Sequence, residues 1–278
     1  MKLYLSSYCI GPRDYSWLLD CVTGFEKPIG VEFAVGFPGK NPDPPFLAQE
    51  SAFSGVPILL HAPYAEFCTE PGSKEELEAE QEFQKTCQLY QQFHAASVVF
   101  HTHEGPVPDE QRLARQKRSA QVLSFWAPLL RERNMRGTVE NVGYPARKNV
   151  LFSQEEFIAL FEILPPEWGC LIDIGHALLN HWDLPEVIQK LGSRIHGYHL
   201  NQNDGVHDSH LSYYAPEGII SKKEADQIIQ AAAFYSPNAN LILEYGLRMD
   251  LQRRNLRGFP ENLPGGRLLG SPLMGKWI

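Results

Sequence analysis

Side chains that can bind a metal ion or transfer a proton stand directly after six short apolar runs of this 278-residue sequence. They are His61, His101, Glu140, Asp173, His199 and Glu244. Buried imidazoles and carboxylates are costly unless they are paired or bound to a cation. A mixture of these two ligand types suits Zn, Mn, Fe or Co, and the absence of cysteine among them argues against a structural zinc site. The residues therefore predict a divalent-metal centre.

The residues differ in how strongly they indicate a metal ligand. A single histidine after a strand, such as His61, is more often a hydrogen-bonded wall residue. Four of these residues, taken together, are the strongest indication of a metal site, because it is improbable that all four would follow predicted strands by chance. They are Glu140, Asp173, His199 and Glu244. Asp208 and His210 are intermediate, because they belong to a polar stretch that reads as a loop, where such residues are commonly solvated.

The apolar runs themselves are short and continuous, which is typical of buried parallel strands. Eight of them recur along the chain, at residues 2–5, 29–33, 57–60, 97–100, 137–139, 170–172, 195–198 and 241–243. Helical stretches with polar starts lie between them. Ser73, Ser153 and Ser221 each precede a glutamate by three positions, as in a capping box. Asp183 precedes Pro185, which suits a first helical turn.

This alternation of strand and helix predicts a parallel sheet with helices outside it. Eight units in a chain of this length fit a closed (β/α)8 TIM barrel better than an open sheet, and no GxGxxG or Walker-type loop follows a strand. The carboxyl ends of the strands in such a barrel form one rim, where active sites lie. We therefore expect the six strand-end residues to meet at this rim.

The whole chain, residues 1–278, is expected to form a single barrel domain. The segment 37–45 is rich in glycine and proline and predicts a long loop after the second strand. An irregular basic arm is expected from about residue 247, where Arg248, Arg253, Arg254, Arg257, Arg267 and Lys276 stand against Asp250 and Glu261. This arm is interpreted as a surface wrap or as a subunit contact in a homo-oligomer. A clamp for a substrate phosphate is the alternative.

Composition limits the classes of partner. The net charge of −8 argues against a protein that holds nucleic acid by charge alone. No apolar run approaches the length needed to cross a bilayer, and the start of the sequence lacks the features of a signal peptide. The five cysteines contain no CxxC pair, which favours buried free thiols in a reducing compartment. We expect a cytoplasmic protein with a small-molecule substrate and without membrane or nucleic-acid partners.

Two stretches carry a resemblance to a known family. They are Asp173-Ile-Gly-His176 and the run from His199 to His210, which reads His-Leu-Asn-Gln-Asn-Asp-Gly-Val-His-Asp-Ser-His. Through them the chain resembles the xylose isomerase-like TIM-barrel superfamily, from the second strand to about Gly246. That superfamily includes sugar phosphate isomerases and epimerases and endonuclease IV. The sequence after His210 lacks the Gly-x-Gly turn of many members.

The resemblance implies two alternative metal centres. As in the isomerases and epimerases, one divalent ion (Mn, Zn or Co) would be held by Glu140, Asp173, His199 and Glu244. As in endonuclease IV, up to three zinc ions would be held by a wider set. That set maps onto His61, His101, Glu140, Asp173, His176, His199, Asp208, His210 and Glu244.

Two enzyme functions follow from these centres. In a sugar or sugar-phosphate isomerase or epimerase, one of Glu140 and Glu244 would remove a proton and the other would return it, while the metal acts as a Lewis acid. His176, His210 and Glu32 would contact the substrate, although Glu32 also fits a structural ion pair at the rim. The alternative is hydrolysis of a small phosphodiester or abasic DNA by two or three metal ions.

The isomerase or epimerase is placed first for three reasons. The Gly-Val-Glu of strand two, the Asn-Asp-Gly loop and the acidic charge are all more typical of that branch. The count of nine suitable ligands favours the hydrolase, since an isomerase needs fewer. An intact ligand set argues against a third interpretation, a barrel that binds a ligand without chemistry.

Overall fold

Eight parallel strands form a closed barrel in the computed structural model of the chain, which describes residues 1–8, 15–23, 29–36 and 51–245. In chain order they are β1 (Lys2–Ser6), β2 (Gly30–Ala34), β3 (Ile58–His61), β4 (Val98–Phe100), β5 (Gly137–Glu140), β6 (Trp168–Asp173), β7 (Ile195–Leu200) and β8 (Asn240–Leu243). Each strand pairs with the next, and β8 pairs with β1. Each predicted strand overlaps one of these, so the predicted TIM barrel is confirmed.

Helices connect the strands. They are α1 (Tyr15–Thr23), α2 (Lys74–Gln92), α3 (Asp109–Glu132), α4 (Gln154–Ile163), α5 (Ile174–Leu179), α6 (Leu184–Leu191) and α7 (Lys222–Tyr235). Short 3₁₀ turns span Pro145–Arg147 and Gly192–Arg194.

Serine and aspartate caps begin five of these helices, and the Asp173 side chain caps α5. Ser153 and Ser221 form the predicted capping boxes at the starts of α4 and α7, and the Asp183 side chain caps α6. At α2 the Ser73 side chain accepts from the backbone N–H of Glu76. The second bond of the predicted capping box, from the backbone N–H of Ser73 to the Glu76 carboxylate, is not formed, so that part of the prediction is wrong. The Glu76 carboxylate instead binds the backbone N–H of Gly72 and the guanidinium of Arg118 on α3. A charged partner from a neighbouring helix therefore replaces the local one.

Alternation along the strands aims the rim residues into the barrel. Leu59, Val99, Leu171 and Ile242 form a small buried cluster with Tyr4, while the strand residues on either side of them pack into the larger core that includes the helices. The small cluster therefore faces the barrel axis. Two positions after its members Leu59, Val99, Leu171 and Ile242 come, in the same order, His61, His101, Asp173 and Glu244. Because side chains alternate with a period of two, these residues point toward the axis above that cluster.

Other expectations of the sequence have different outcomes. The four cysteines in the described ranges, Cys21, Cys68, Cys87 and Cys170, are buried free thiols as predicted, and Cys9 lies outside those ranges. Among the described helices none is both long and apolar enough to cross a membrane. The loop at 37–45 and the basic arm from about residue 247 lie outside the described residues, so both stay predictions, as does the single domain of 1–278.

Candidate metal centre

The carboxyl ends of six strands bring their imidazoles and carboxylates together at one rim. Burial of these side chains is nearly complete: Asp173 and His199 are 0% exposed, Glu140 is 2% and Glu244 is 5%. An uncompensated charge at such a depth would cost several kcal/mol or more, so each group needs a partner of opposite charge. The geometry divides the nine predicted ligands into three groups that share Glu140.

The first group surrounds Nδ1 of His199. This nitrogen lies 3.0 Å from Glu244 Oε2, 3.4 Å from Glu140 Oε2 and 3.8 Å from Asp173 Oδ2. It is buried and makes no hydrogen bond. A buried imidazole nitrogen that faces three carboxylates without a hydrogen bond is the arrangement that a divalent cation satisfies.

The second group shares an oxygen with the first. Oε2 of Glu140 lies 3.1 Å from Nε2 of His101 and 3.7 Å from Nε2 of His61. Ligand atoms of these three residues all lie within 4.8 Å of one another, as do those of Glu140, Asp173 and His199. Glu140 therefore belongs to both groups.

The third group comes from helix α5, which follows β6, and from the loop that follows β7. Nε2 of His176 lies 3.3 Å from Asp208 Oδ2, and Nε2 of His210 lies 3.4 Å from Asp208 Oδ1. Nδ1 of His176 points back to Glu140 Oε1 at 3.4 Å and has no hydrogen bond. The predicted ligands Asp208 and His210 thus join the rim although they lie outside the strands.

Outer partners fix which nitrogen four of the histidines present to the centre. Nδ1 of His61 binds the backbone carbonyl of Ala62 at 2.9 Å, and Nδ1 of His210 binds that of Glu244 at 3.0 Å. Nε2 of His199 meets the Glu32 carboxylate at 3.1 Å, and Nδ1 of His101 meets that of Glu104. Metal-binding histidines in proteins are held in this way by a second partner. The donor set therefore fits a divalent metal.

The two glutamates that were predicted to transfer protons have pKa values shifted in opposite directions. Burial would raise the pKa of Glu140, but the neighbouring His101 and His199 hold it well below its usual range. Burial raises the pKa of Glu244, and the Glu140 and Glu32 carboxylates add to the rise against the opposing effect of His199 and His210. Burial alone would lower the pKa of His101, yet the carboxylates of Glu140 and Glu104 raise it to about 9.

Buried amides fix the corner between β6 and α5. Asn201 Nδ2 donates to Asp173 Oδ2 at 2.7 Å, and the backbone N–H of His176 donates to Asp173 Oδ1 at 2.6 Å. Asn141 binds both the backbone N–H and the carbonyl of Asp173. A Cβ at Gly175 would stand 2.0 Å from Oδ1 of Asn201. The Asp-x-Gly-His stretch therefore needs its glycine for a close approach, and the amides orient Asp173.

Replacing Gly175 by alanine should lower the free energy of unfolding by about 1–3 kcal/mol, because the new methyl group must displace the buried Asn201 amide. The same shift should break the bond from Asn201 to Asp173 and reduce bound metal. Urea unfolding and metal content of the purified variant check both effects. An Asn201→Ala/Gly175→Ala double variant removes the clash, so its loss should be smaller than the sum of the single losses. Strictly additive losses would contradict this assignment of the clash.

The centre opens into a cavity of about 860 Å³. Its inner lining includes His61, His101, Glu140, His176, Asp208, His210 and Glu244. One face of α2 forms an outer wall with Glu75, Glu78 and Glu82, and we call these three residues the acidic wall. Among the described lining residues Arg147 is the only arginine or lysine. A volume of this size suits a small organic substrate.

The structure brings all nine predicted ligands to the rim, and their role in binding metal stays a prediction. Glu32 is buried behind His199 and does not line the cavity among the described residues, so its predicted substrate contact has no direct support. Sequence reasoning missed Glu104, Glu66 and the Asn141–Asn201 amides. The spacing His101-x-x-Glu104 after a strand was a signal for the first of these, whereas the others depend on contacts between loops.

Comparison with known proteins places this chain in a family. A model of the family described as xylose isomerase-like TIM barrel matches residues 46–260. Comparison with curated protein sequences finds no match. Among solved structures, a Thermus thermophilus protein soaked with ZnCl2 is similar with a TM-score of 0.66 and 17% identity, over 94% of this chain and 97% of that one.

Two epimerases have a similar fold. D-psicose 3-epimerase with D-tagatose from Clostridium cellulolyticum has a TM-score of 0.71 and 12% identity, over 95% of this chain and 99% of that one. The 3-keto-D-glucoside 4-epimerase of E. coli has a TM-score of 0.68 and 10% identity, over 94% and 99%. At such identities the structures share the fold alone, and the family model carries the assignment. The chain belongs to the xylose isomerase-like TIM barrel family.

Proposed function

We propose that the protein is a divalent-metal-dependent isomerase or epimerase of a small sugar. One observation carries the proposal: Glu140 and Glu244 line the same cavity, and both carboxylates meet the same buried nitrogen, Nδ1 of His199. Two carboxylates that share one small-molecule cavity are the groups that a reversible proton transfer at carbon requires.

Glu140, Asp173, His199 and Glu244 would hold the ion, which we expect to be Mn, Zn or Co. The unbonded Nδ1 of His199 and the three carboxylates around it support this set. When bound, the metal would polarise a carbonyl of the substrate and so acidify the adjacent C–H.

The chain's own groups would perform the proton transfers. One of Glu140 and Glu244 would remove the proton and the other would return it, and the lowered pKa of Glu140 beside the raised pKa of Glu244 favours Glu140 as the base. The Ser6 hydroxyl donates to Glu244 Oε1 at 3.5 Å and would help to hold that carboxyl in place. His176 and His210 line the cavity and would contact substrate hydroxyls.

The cavity favours an uncharged sugar over a sugar phosphate. Among the described lining residues, the three glutamates of the acidic wall outnumber the one arginine, Arg147, which already lies 3.8 Å from the Glu104 carboxylate. Walls of one sign repel ligands of that sign. Two structural neighbours are, by their descriptions, epimerases of D-psicose and of a 3-keto-D-glucoside. Free ketoses are therefore the first substrates to test.

A phosphoester hydrolase is the second candidate, since the two further ligand groups favour it. His61 and His101 share Glu140 with the first group, and the cluster of His176, Asp208 and His210 adds a third possible position. Two or three ions held by these groups would suit hydrolysis of a phosphodiester. The acidic wall counts against this candidate, because a phosphodiester is an anion.

The test is solvent exchange during turnover. The chain, loaded in turn with Mn, Co or Zn, is incubated with free ketoses and with their phosphates in deuterium oxide and followed by NMR. We expect deuterium at the carbon next to the carbonyl together with an epimer or isomer, faster for the free sugar. Exchange in no ketose, with hydrolysis of bis(4-nitrophenyl) phosphate under the same conditions, would favour the hydrolase. If neither exchange nor hydrolysis occurs, the result contradicts both candidate functions.

A further inference from the structure

The loop after β4 holds one histidine of the centre in an unusually complete set of contacts. Nδ1 of His101 contacts the carboxylate of Glu104, three residues further on, and Nε2 of His101 faces Glu140 at 3.1 Å. The other oxygen of Glu104 lies 3.8 Å from Nη1 of Arg147. The Glu104 carboxylate thus lies directly behind the imidazole as seen from the centre.

Glu66, from the loop after β3, holds the backbone that carries Glu104. Its Oε1 accepts from the backbone N–H groups of both Glu104 and Gly105, each at 2.8 Å. An ionised acceptor makes such bonds stronger than neutral ones. The backbone N–H of Phe67 donates to the carbonyl of Thr102 at 2.9 Å and ties the same two loops together.

The loop after β5 supports the segment from the other side. Asn149 Nδ2 donates to the carbonyl of Glu104 at 3.3 Å, and the carbonyl of Asn149 binds Nε2 of the fully buried His103 at 2.5 Å. The position of Glu104 is therefore set by both neighbouring loops. A surface carboxylate that met a histidine by chance would not have its backbone fixed in this way.

We propose that Glu104 is a positioning residue that orients His101 toward the metal centre, and that Glu66 fixes the loop that carries Glu104. The proposal rests on the second ligand group, His61, His101 and Glu140, which shares Glu140 with the ion of the proposed function. Glu104 holds Nδ1 of His101 outward, so that Nε2 is the nitrogen presented to Glu140 and to an ion beside it. Without Glu104 the ring loses its anchor, and the ligand is free to rotate away.

Zinc competition with a chromophoric chelator tests this on the full chain. Glu104→Ala should weaken the zinc equivalent that uses His101 about 10- to 100-fold, the usual effect of losing an outer partner. Glu104→Gln keeps an acceptor for Nδ1–H and should recover part of the affinity. Glu66→Ala should weaken the same equivalent. Glu82→Gln is the matched control, because it removes a cavity carboxylate from α2 and should leave zinc affinity unchanged.

Thermal unfolding of each variant separates misfolding from ligand loss. In cobalt-loaded chains the visible absorption of the ion should also change in Glu104→Ala and remain near wild type in Glu82→Gln. If the wild type binds zinc and folded Glu104→Ala keeps its affinity for every equivalent, the role of Glu104 is refuted while the metal centre stands. A wild-type chain that takes up no zinc overturns both proposals.

Discussion

Glu140→Gln and Glu244→Gln should each lower kcat for ketose epimerisation about 100- to 10,000-fold, the range that a positioned acid or base contributes. Glutamine keeps the shape of the side chain but can neither take up nor return the proton. The two variants should differ in metal content, because Glu140 contacts two ligand groups through Oε2 and His176 through Oε1, whereas Glu244 lies in one group. Rates and bound metal are measured on the same preparations.

Glu78→Gln provides the control for these two variants. It removes a carboxylate of the acidic wall, away from the ligand groups, and should leave kcat unchanged. A Glu244→Gln variant that retains its metal and full activity would contradict the assignment of the acid. Loss of activity in Glu78→Gln as large as in the other two would show that the cavity charge, and not proton transfer, sets the rate.

Removing the metal with a chelator should lower the melting temperature of the wild type by about 10 °C. An ion at a thousand times its dissociation constant stabilises the folded chain by about 4 kcal/mol, and each kcal/mol shifts the melting temperature by about 2–4 °C in a domain of this size. The physical cause is the set of buried carboxylates around His199, which lose their cation. Calorimetry with and without chelator measures the shift.

The Glu140→Gln variant is the control for this measurement. It removes the residue that the ligand groups share, so the chelator should shift its melting temperature less. Returning Mn, Co or Zn to the chelated wild type should restore the original melting temperature. An unchanged melting temperature on chelation of a metal-loaded wild type would contradict a structural contribution of the ion.

The barrel was predictable because its strands are buried on both faces and read as short apolar runs. The predicted boundaries stopped early where a strand ends in a polar residue, as at His61, Glu140 and Asp173, because apolarity was the signal that defined them. The period of two along the strands then placed His61 and Asp173 above the inward-facing cluster. Fold and rim therefore followed from local pattern.

The parts that were not predictable depend on contacts between loops. Glu66 reaches the backbone of Glu104 and Gly105 from a different connection, and no local pattern marks that pairing. Asn201 and Asn141 orient Asp173 from two neighbouring strand ends. The half-formed box at Ser73 failed for the same reason, because Arg118 from α3 competes for Glu76. The residues that hold the predicted ligands in place therefore depend on contacts between segments distant in the sequence, which no local pattern predicts.

Metal content per chain is the most direct test of the proposed centre. Protein purified without added metal or chelator is analysed by elemental analysis, and then again after titration with Mn, Co and Zn and gel filtration. We expect at least one ion per wild-type chain, and fewer in Glu140→Gln. One ion supports the isomerase or epimerase with a single centre, whereas two or three zinc ions support the hydrolase. A folded wild-type chain that holds no metal and takes up none would contradict the metal centre itself.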